Sequence, residues 1–395
     1  MDRRRLLREG ALLGATLIGG SAAGLLSGCA APVTRTPAPT RRDFTAPETS
    51  YIETACNLPP VRVSADREIR TVVGLRPFRR PGFRVEAESL GDTLIVHNYG
   101  HGGGGITLSW GTSKLAVDLG APGRSGPAAV IGCGAVGLAT ARLLQEAGFA
   151  VTIYAEALPP DTTSNIAGGQ WLPYLVAEPE RRTAAFDRQF DAAARYAHRR
   201  YQLLVGPRYG VRWLRNYFLG HRAFREDGML GERSALGDLL PERRALGPGE
   251  HPFTGFEHVR QIDTLFVEPS IYLPAMMEAF QIAGGRIVVR AFRERQELGA
   301  LHEKLVFNCT GLGARALFGD TELVAVKGQL TILLPQPEVQ YAACPGDLYM
   351  FPRSDGIVLG GTHEEDVWSL EPDLEAKARI LAGHKAFFDG FRGCA

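Results

Sequence analysis

Three scarcities narrow what this chain of 395 residues can be. It has almost no net charge: 44 lysines and arginines against 43 acids leave +1. No broad field of one sign therefore invites a nucleic acid or an acidic partner. It has no apolar run long enough for an internal transmembrane helix. It has only six cysteines, without the spacing of a disulfide framework. What is left, 45% hydrophobic and 22% charged, is the composition of an ordinary folded protein long enough for two domains. Glycine is the plentiful residue, 47 in all, and its clusters carry the argument.

The most informative cluster lies in the stretch from Ala128 to Glu156. An apolar strand, Ala128 to Ile131, runs into Gly132-Cys133-Gly134-Ala135-Val136-Gly137. A helix follows to about Ala147, Gly148 ends it, and a second strand spans Ala150 to Tyr154. Glu156 stands just beyond. This is the dinucleotide fingerprint: a tight turn, close approach of backbone to a pyrophosphate, a helix N-terminus facing it, and an acid for the ribose hydroxyls. The motif alone separates neither FAD from NAD nor a filled site from an empty glycine turn.

The first thirty residues read as an address. Asp2-Arg3-Arg4-Arg5-Leu6-Leu7-Arg8 precedes an apolar, Gly/Ala-rich stretch from Ala11 to Leu26, a secretory layout whose paired arginines resemble a twin-arginine signal. Leu26-Ser27-Gly28-Cys29 resembles a lipobox, with Cys29 as the lipidated residue. The expectation is a signal over 1–28, a Pro/Thr/Arg-rich tether over 29–55, and an exported protein held by lipid at a periplasmic face or cell surface. Cys133 and Cys309 read as buried small residues. Cys56, Cys344 and Cys394 remain, and one bridge among them is left open.

Two stretches precede the fingerprint. Thr71 to Glu86 mixes strand formers with arginines and prolines, either an exposed strand edge or a place where one arginine offers its planar fork to a carboxylate. Then a strand, Thr93 to Val96, opens into His97-Asn98-Tyr99-Gly100-His101-Gly102-Gly103-Gly104-Gly105-Ile106-Thr107, and a helix is expected over Thr107 to Leu119. Backbone N–H groups from Gly102 to Ile106, a helix N-terminus and the Thr107 hydroxyl form a surface for a flat, electron-rich ring. The two histidines, with no carboxylate nearby, have poor spacing for a metal, and none is expected.

Gly74-Leu75-Arg76-Pro77-Phe78-Arg79 followed by His97-Asn98-Tyr99-Gly100-His101-Gly102-Gly103-Gly104-Gly105 resembles the signature of the D-amino-acid oxidase family, which includes D-aspartate oxidase. Further motifs match it after the fingerprint. Asp161-Thr162-Thr163-Ser164 with Ala167-Gly168-Gly169 resembles the loop that passes the flavin. Asn308-Cys309-Thr310-Gly311 resembles its second close approach, and Pro352-Arg353-Ser354-Asp355-Gly356 a hairpin whose first strand carries Tyr349. In the family the Gly-Leu-Arg-Pro strand and the glycine cradle come near the C-terminus, whereas here they come first. The resemblance therefore implies a circular permutation.

The remaining pattern is coarser. Phe186, Phe190, Ala194, Ala197, Tyr201 and Leu204 recur as one helix face; 206–255 looks loop-rich; Thr264 to Val267 is a short strand; and Ser270 caps a helix to about Ala283. Arg286 to Phe292, Leu305 onward and Leu330 to Leu334 read as strands. The expected fold is α/β, with a Rossmann-like FAD-binding domain from 79–172 and 265–320. A mixed-sheet substrate domain comes from 56–78, 173–264 and 321–395.

The resemblance implies FAD as cofactor, a D-amino acid and oxygen as substrates, and oxidative deamination to a 2-oxo acid, ammonia and hydrogen peroxide. It puts the α-carboxylate on Arg76 and Tyr349, the amino group on the Gly103 backbone, and the flavin edge on Gly102 to Thr107. The remaining FAD contacts would come from Gly132, Gly134, Ala135, Val136, Gly137, Glu156, Thr162, Thr163, Ser164, Gly168, Gly169, Thr310 and Gly311. Two positions depart from the family pattern: Pro345 stands where a lid tyrosine is common, and Leu172 where a glutamine is. A glycine- or sarcosine-type amine oxidase, an NAD(P) dehydrogenase and a non-catalytic flavin-binding protein are the alternatives. The oligomeric state is left open, a homodimer being one option.

Overall fold

The computed structural model describes residues 55–231 and 233–394. The expected signal, the Cys29 lipid site and nearly all of the tether lie outside the described residues. In chain order the regular elements begin with β1 (Glu68–Arg79), β2 (Arg84–Leu90), β3 (Thr93–Tyr99), α1 (Gly105–Gly120), β4 (Pro127–Ile131), α2 (Ala135–Glu146) and β5 (Ala150–Ala155). Next come α3 (Thr163–Ile166), α4 (Ala184–Leu203), β6 (Val211–Gly220), β7 (Arg244–Leu246), β8 (His258–Val267), α5 (Pro269–Ile282), β9 (Arg286–Val289) and α6 (Gln296–Gly299). The chain closes with β10 (Leu305–Asn308), α7 (Gly313–Phe318), β11 (Leu323–Leu333), β12 (Tyr341–Pro345), β13 (Tyr349–Arg353), β14 (Gly356–Gly360), β15 (Glu364–Glu365) and α8 (Leu374–Asp389).

These elements build two sheets. A six-stranded sheet runs β2-β3-β10-β4-β5-β9; its neighbours pair in parallel except for β2, which is antiparallel to β3. Its central strands β4 and β10 are apolar and buried, as strands covered on both faces must be. A second sheet runs β1-β11-β14-β13-β12-β6-β8-β7, with β15 against β11. Here β1 pairs with β11 antiparallel along most of its length, which places Arg76 opposite Val326 and Gly74 opposite Gly328. Helix α1 is buried along most of its length because it lies against α2, α4 and β3. Helix α4 buries the predicted stripe Phe186, Phe190, Ala194, Ala197 and Tyr201, and its Thr183 cap accepts from the Phe186 N–H at 3.1 Å.

Several expectations need correction. The region 206–255 is loop-rich as expected, but it also carries β6 and the short β7. The alternation of β6 is obscured by arginines that pair across strands, as Arg215 does with Asp263 on β8 at 2.9 Å. Strand β8 begins at His258 rather than Thr264, because β6 pairs with all of it. Strand β3 continues to Tyr99, held by β2 on one side and β10 on the other. Helix α1 begins at Gly105, not Thr107. Strand β9 ends at Val289, and β11 starts at Leu323. Ser270 does not cap α5: Pro269, which suits the first helical position, starts the helix and Glu268 is the cap residue. The open cysteine question has an answer: Cys56 is bonded to Cys394, while Cys133 and Cys309 are free and buried and Cys344 is free and half-buried. No described helix is long and apolar enough to cross a membrane.

Candidate active site

One cavity of about 1470 Å³ gathers nearly every residue singled out in the sequence. Ligand sites commonly measure about 300–1,000 Å³, so this one has room for a large cofactor together with a small substrate. The fingerprint residues Gly132, Gly134, Ala135, Val136, Gly137 and Glu156 line it. So do Thr162, Thr163, Ser164, Gly168 and Gly169 from the loop after β5, Thr310 and Gly311 after β10, and Arg76 and Tyr349 from the second sheet. From the glycine cradle, Gly102, Gly103, Gly105, Ile106 and Thr107 face the cavity. Gly104 does not; it is buried against Val176 and Leu108.

Two helix N-termini border the same space, and each presents N–H groups that the helix itself leaves unpaired. At α2, the Ala135 N–H donates to Ser164 Oγ at 3.0 Å, so Ser164 ties the flavin-type loop to the glycine turn. At α1, the turn Gly105-Ile106-Thr107 faces the cavity. Within the cradle the Gly103 N–H donates to the Leu175 carbonyl at 3.0 Å and the Gly104 N–H to the His101 carbonyl at 2.9 Å. The first bond depends on Leu175 holding a left-handed backbone, φ 53°, which is uncommon for a leucine. Several of the expected hydroxyls have partners within the chain. Thr162 donates to Asn165 Oδ1 at 2.8 Å, Thr310 to Asn308 Oδ1 at 2.7 Å, and Thr107 to the Leu172 carbonyl at 3.4 Å.

The far end of the cavity is built around Arg76. Its Nη2 donates to the Tyr349 hydroxyl at 3.3 Å, and its Nη1 is buried without a partner. A buried, unpaired guanidinium N–H is costly unless an anion completes it. Burial and Cys344 push the Tyr349 hydroxyl above its usual pKa and Arg76 pulls it down; the net shift is upward, so the phenol keeps its proton and can donate. Each side chain lies over a glycine of a neighbouring strand. A Cβ on Gly328 would meet Arg76 Nη1 and Nη2 at 2.5 Å, and a Cβ on Gly360 would collide with the Tyr349 ring. Gly328 and Gly360 were not singled out in the sequence, because their importance depends on which strands lie beside them.

Another part of the lining is exposed. Glu156 sits just after β5 and pairs with Arg293 at 2.8 Å, both well exposed, so the pair itself contributes little. Arg290, Phe292 and Arg293 line the cavity as well, and nothing in their local sequence marked them. Near the cradle, His101 is buried, bonded to Thr112 Oγ1 at 2.8 Å, and burial lowers its pKa to about 3. His97 is bonded to Asn308 at 3.0 Å. Asn98 donates to Ser113 and Thr140 at 3.2 Å each, while its Oδ1 is buried without a partner and the residue lines the cavity. Among the described residues no three His, Cys, Asp or Glu side chains come together as a metal site.

The residues present fit a flavin dinucleotide: two helix N-termini for phosphate and ring oxygens, glycine-lined walls, and sufficient volume. Comparison with known proteins agrees. Residues 128–394 match the family model described as FAD dependent oxidoreductase. A D-amino-acid oxidase from Streptomyces coelicolor is 34% identical over 265 residues, covering 65% of this chain and 76% of that protein. A D-amino acid oxidase from Dugesia ryukyuensis is 30% identical over 274 residues, covering 67% and 79%. The human D-aspartate oxidase is 28% identical over 261 residues, covering 64% and 73%. Among solved structures, glycine oxidase from Geobacillus kaustophilus superposes with a TM-score of 0.51 at 17% identity, covering 68% of this chain and 80% of that one. The family match leaves out the residues before 128, and these include Arg76 and the glycine cradle.

Proposed function

This chain belongs to the FAD-dependent oxidoreductase family, and from that premise we propose that it deaminates D-amino acids oxidatively, giving a 2-oxo acid, ammonia and hydrogen peroxide. It is an oxidoreductase and its cofactor is FAD. The observation that carries the substrate reading is the Arg76–Tyr349 pair lining the cavity, with Arg76 Nη1 buried and unpaired. A planar guanidinium beside a protonated phenol suits one ligand chemistry best, a carboxylate bound at both oxygens.

When bound, FAD supplies the acceptor for a hydride from the substrate Cα, and oxygen takes the electrons on as hydrogen peroxide. The chain's own part is orientation. Arg76 takes the α-carboxylate in a bidentate pair and Tyr349 donates to it. The Gly103 carbonyl accepts from the amino group; the N–H of that residue is already committed to Leu175. Three fixed points decide which face of Cα is presented, and hence the preference for one enantiomer. Loss of hydride leaves an iminium that water hydrolyses to the 2-oxo acid and ammonia. Gly132 to Gly137 with Thr162, Thr163 and Ser164 would hold the pyrophosphate, Glu156 the ribose, and Gly102, Gly105 to Thr107, Gly168 and Gly169 the ring. In this reading the six-stranded sheet belongs to the FAD-binding domain and the larger sheet to the substrate domain.

The site of action we propose is outside the cytoplasm, with lipid attachment at Cys29. The signal-like first 28 residues support this, and so does the Cys56–Cys394 bond, which persists best in an oxidising compartment.

The deciding experiment uses protein without its signal, under anaerobic conditions. D-alanine or D-aspartate is expected to bleach the flavin absorbance, and the L-isomers are not. Bleaching by glycine or an N-methyl amino acid alone would replace the D-amino-acid reading with a related amine oxidase. Flavin that stays oxidised with every amine tested would remove the enzymatic reading.

A further inference from the structure

His384 lies on α8, outside every motif considered above, and its side chain is 0% exposed. Ile380 and Phe388 flank it four residues either side on the buried face of that helix. Its two ring nitrogens face two carbonyl oxygens: Nδ1 is 2.8 Å from the oxygen of Ile380, one turn back, and Nε2 is 3.1 Å from the oxygen of Tyr349. Carbonyl oxygens only accept, so each contact is a hydrogen bond only when the ring nitrogen carries the proton. Burial holds the ring below its usual pKa, and the neutral imidazole has a single N–H to give; the Ile380 carbonyl already accepts the His384 backbone N–H within α8, so the ring proton is assigned to Nε2.

The Tyr349 end of this contact matters because of how that residue is held. Tyr349 is the first residue of β13. Strand β12 reaches β13 through the Ala343–Met350 pair, and on the other side Tyr349 is opposite Gly360, over which its ring lies. The Tyr349 ring rests on Phe351, centroids 5.3 Å apart, and its hydroxyl accepts from Arg76. On the helix side the Tyr349 carbonyl lies 3.1 Å from His384 Nε2.

We propose that His384 is a positioning residue for substrate binding: its Nε2–H donates to the Tyr349 carbonyl and so sets where the Tyr349 hydroxyl stands relative to Arg76. This rests on the reading that Arg76 and Tyr349 bind the substrate carboxylate. Leucine at 384 keeps the volume and removes the donor. Glutamine places an amide N–H near the position of Nε2 and restores it. A shift of Tyr349 weakens carboxylate binding and leaves the flavin contacts, which come from other elements, in place.

The test compares FAD-loaded His384→Leu, His384→Gln and Tyr349→Phe. The readouts are KM and kcat with the D-amino acid that reduces the wild-type flavin fastest, and acetate affinity from the change in flavin absorbance. His384→Leu and Tyr349→Phe should each weaken both KM and acetate binding roughly three- to tenfold, the effect of one hydrogen bond. His384→Gln should return to within about twofold of wild type, with flavin content equal throughout. If His384→Leu does not fold, His384→Asn, whose amide stops short of Tyr349, is set against His384→Gln. Unchanged KM and acetate affinity in His384→Leu, with both weakened in Tyr349→Phe, would overturn the role of His384 alone. Unchanged values in Tyr349→Phe would overturn the carboxylate reading beneath it.

Discussion

At the scale of single residues, substrate recognition concentrates on Arg76 and on the space that lets it stand where it does. Arg76→Ala removes a charge-assisted bidentate pair, about 3 kcal/mol. KM should rise about a hundredfold, with FAD still bound and kcat changed far less. An unchanged KM would end the assignment of Arg76 to the carboxylate. Gly328→Ala tests the same point from beneath. The added methyl first meets the flexible end of the Arg76 side chain, so the guanidinium yields while β11 stays in place. KM should rise about tenfold with little change in thermal stability, and Arg76→Ala/Gly328→Ala should be no worse than Arg76→Ala alone, since Gly328 acts through that one partner. Additive effects in the double variant would mean that Gly328 serves the sheet, not the arginine.

At the scale of elements, the parts legible in the sequence were those whose cause is local. The β4–α2–β5 unit lies within a residue or two of its expected bounds, because Gly132-Cys133-Gly134 and Gly148 punctuate it whatever surrounds it. Strand β6 was not picked out of the loop-rich stretch around it because its Arg212, Arg215 and Asn216 make sense only beside β8 and its partners. Arg76 and Tyr349 stood out through their motifs, whereas Gly328, Gly360 and His384 matter only through elements distant in sequence. The segment from β3 into the glycine cradle also has a pH signature. His97 is lowered to about 4 by burial first and then by Arg84, with Glu88 opposing, and His101 to about 3 by burial. The unfolded chain therefore binds these protons near the ordinary value of 6.5, while the fold does not. Stability is full above about pH 6.5 and is lost as the pH falls toward 4, at up to about 1.4 kcal/mol per pH unit for each ring. Urea midpoints measured between pH 7.5 and 4.5 should be flat at first and then decline; a flat line throughout would mean that these rings are charged in the fold.

At the scale of the whole molecule, the order of segments and the one disulfide bear on the same point. The family match begins at 128, yet residues before it supply β1 to one sheet, β2 and β3 to the other, and the α1 N-terminus and Arg76 to the cavity. A circular permutation, which the resemblance implies, would account for this: a segment that the family carries last would come first here. In a permuted chain the Cys56–Cys394 bond, its Cα atoms only 5.3 Å apart, would stand where the unpermuted order is continuous. At that distance a short linker can replace the bond, since each trans peptide spans 3.8 Å. A chain opened at 128, with 56–127 linked after 394 and Cys56 and Cys394 replaced by serine, should fold, take up FAD and show the parent's KM. The two chain orders should then differ in one respect. In the parent, the bridge closes a loop of sequence separation 338, and reducing it with dithiothreitol should cost about 2–5 kcal/mol of unfolding free energy. The reordered chain should be insensitive to the reductant. A reordered chain that cannot bind FAD would refute the permutation, and a parent whose stability is the same oxidised and reduced would deny the bond its role as the closure.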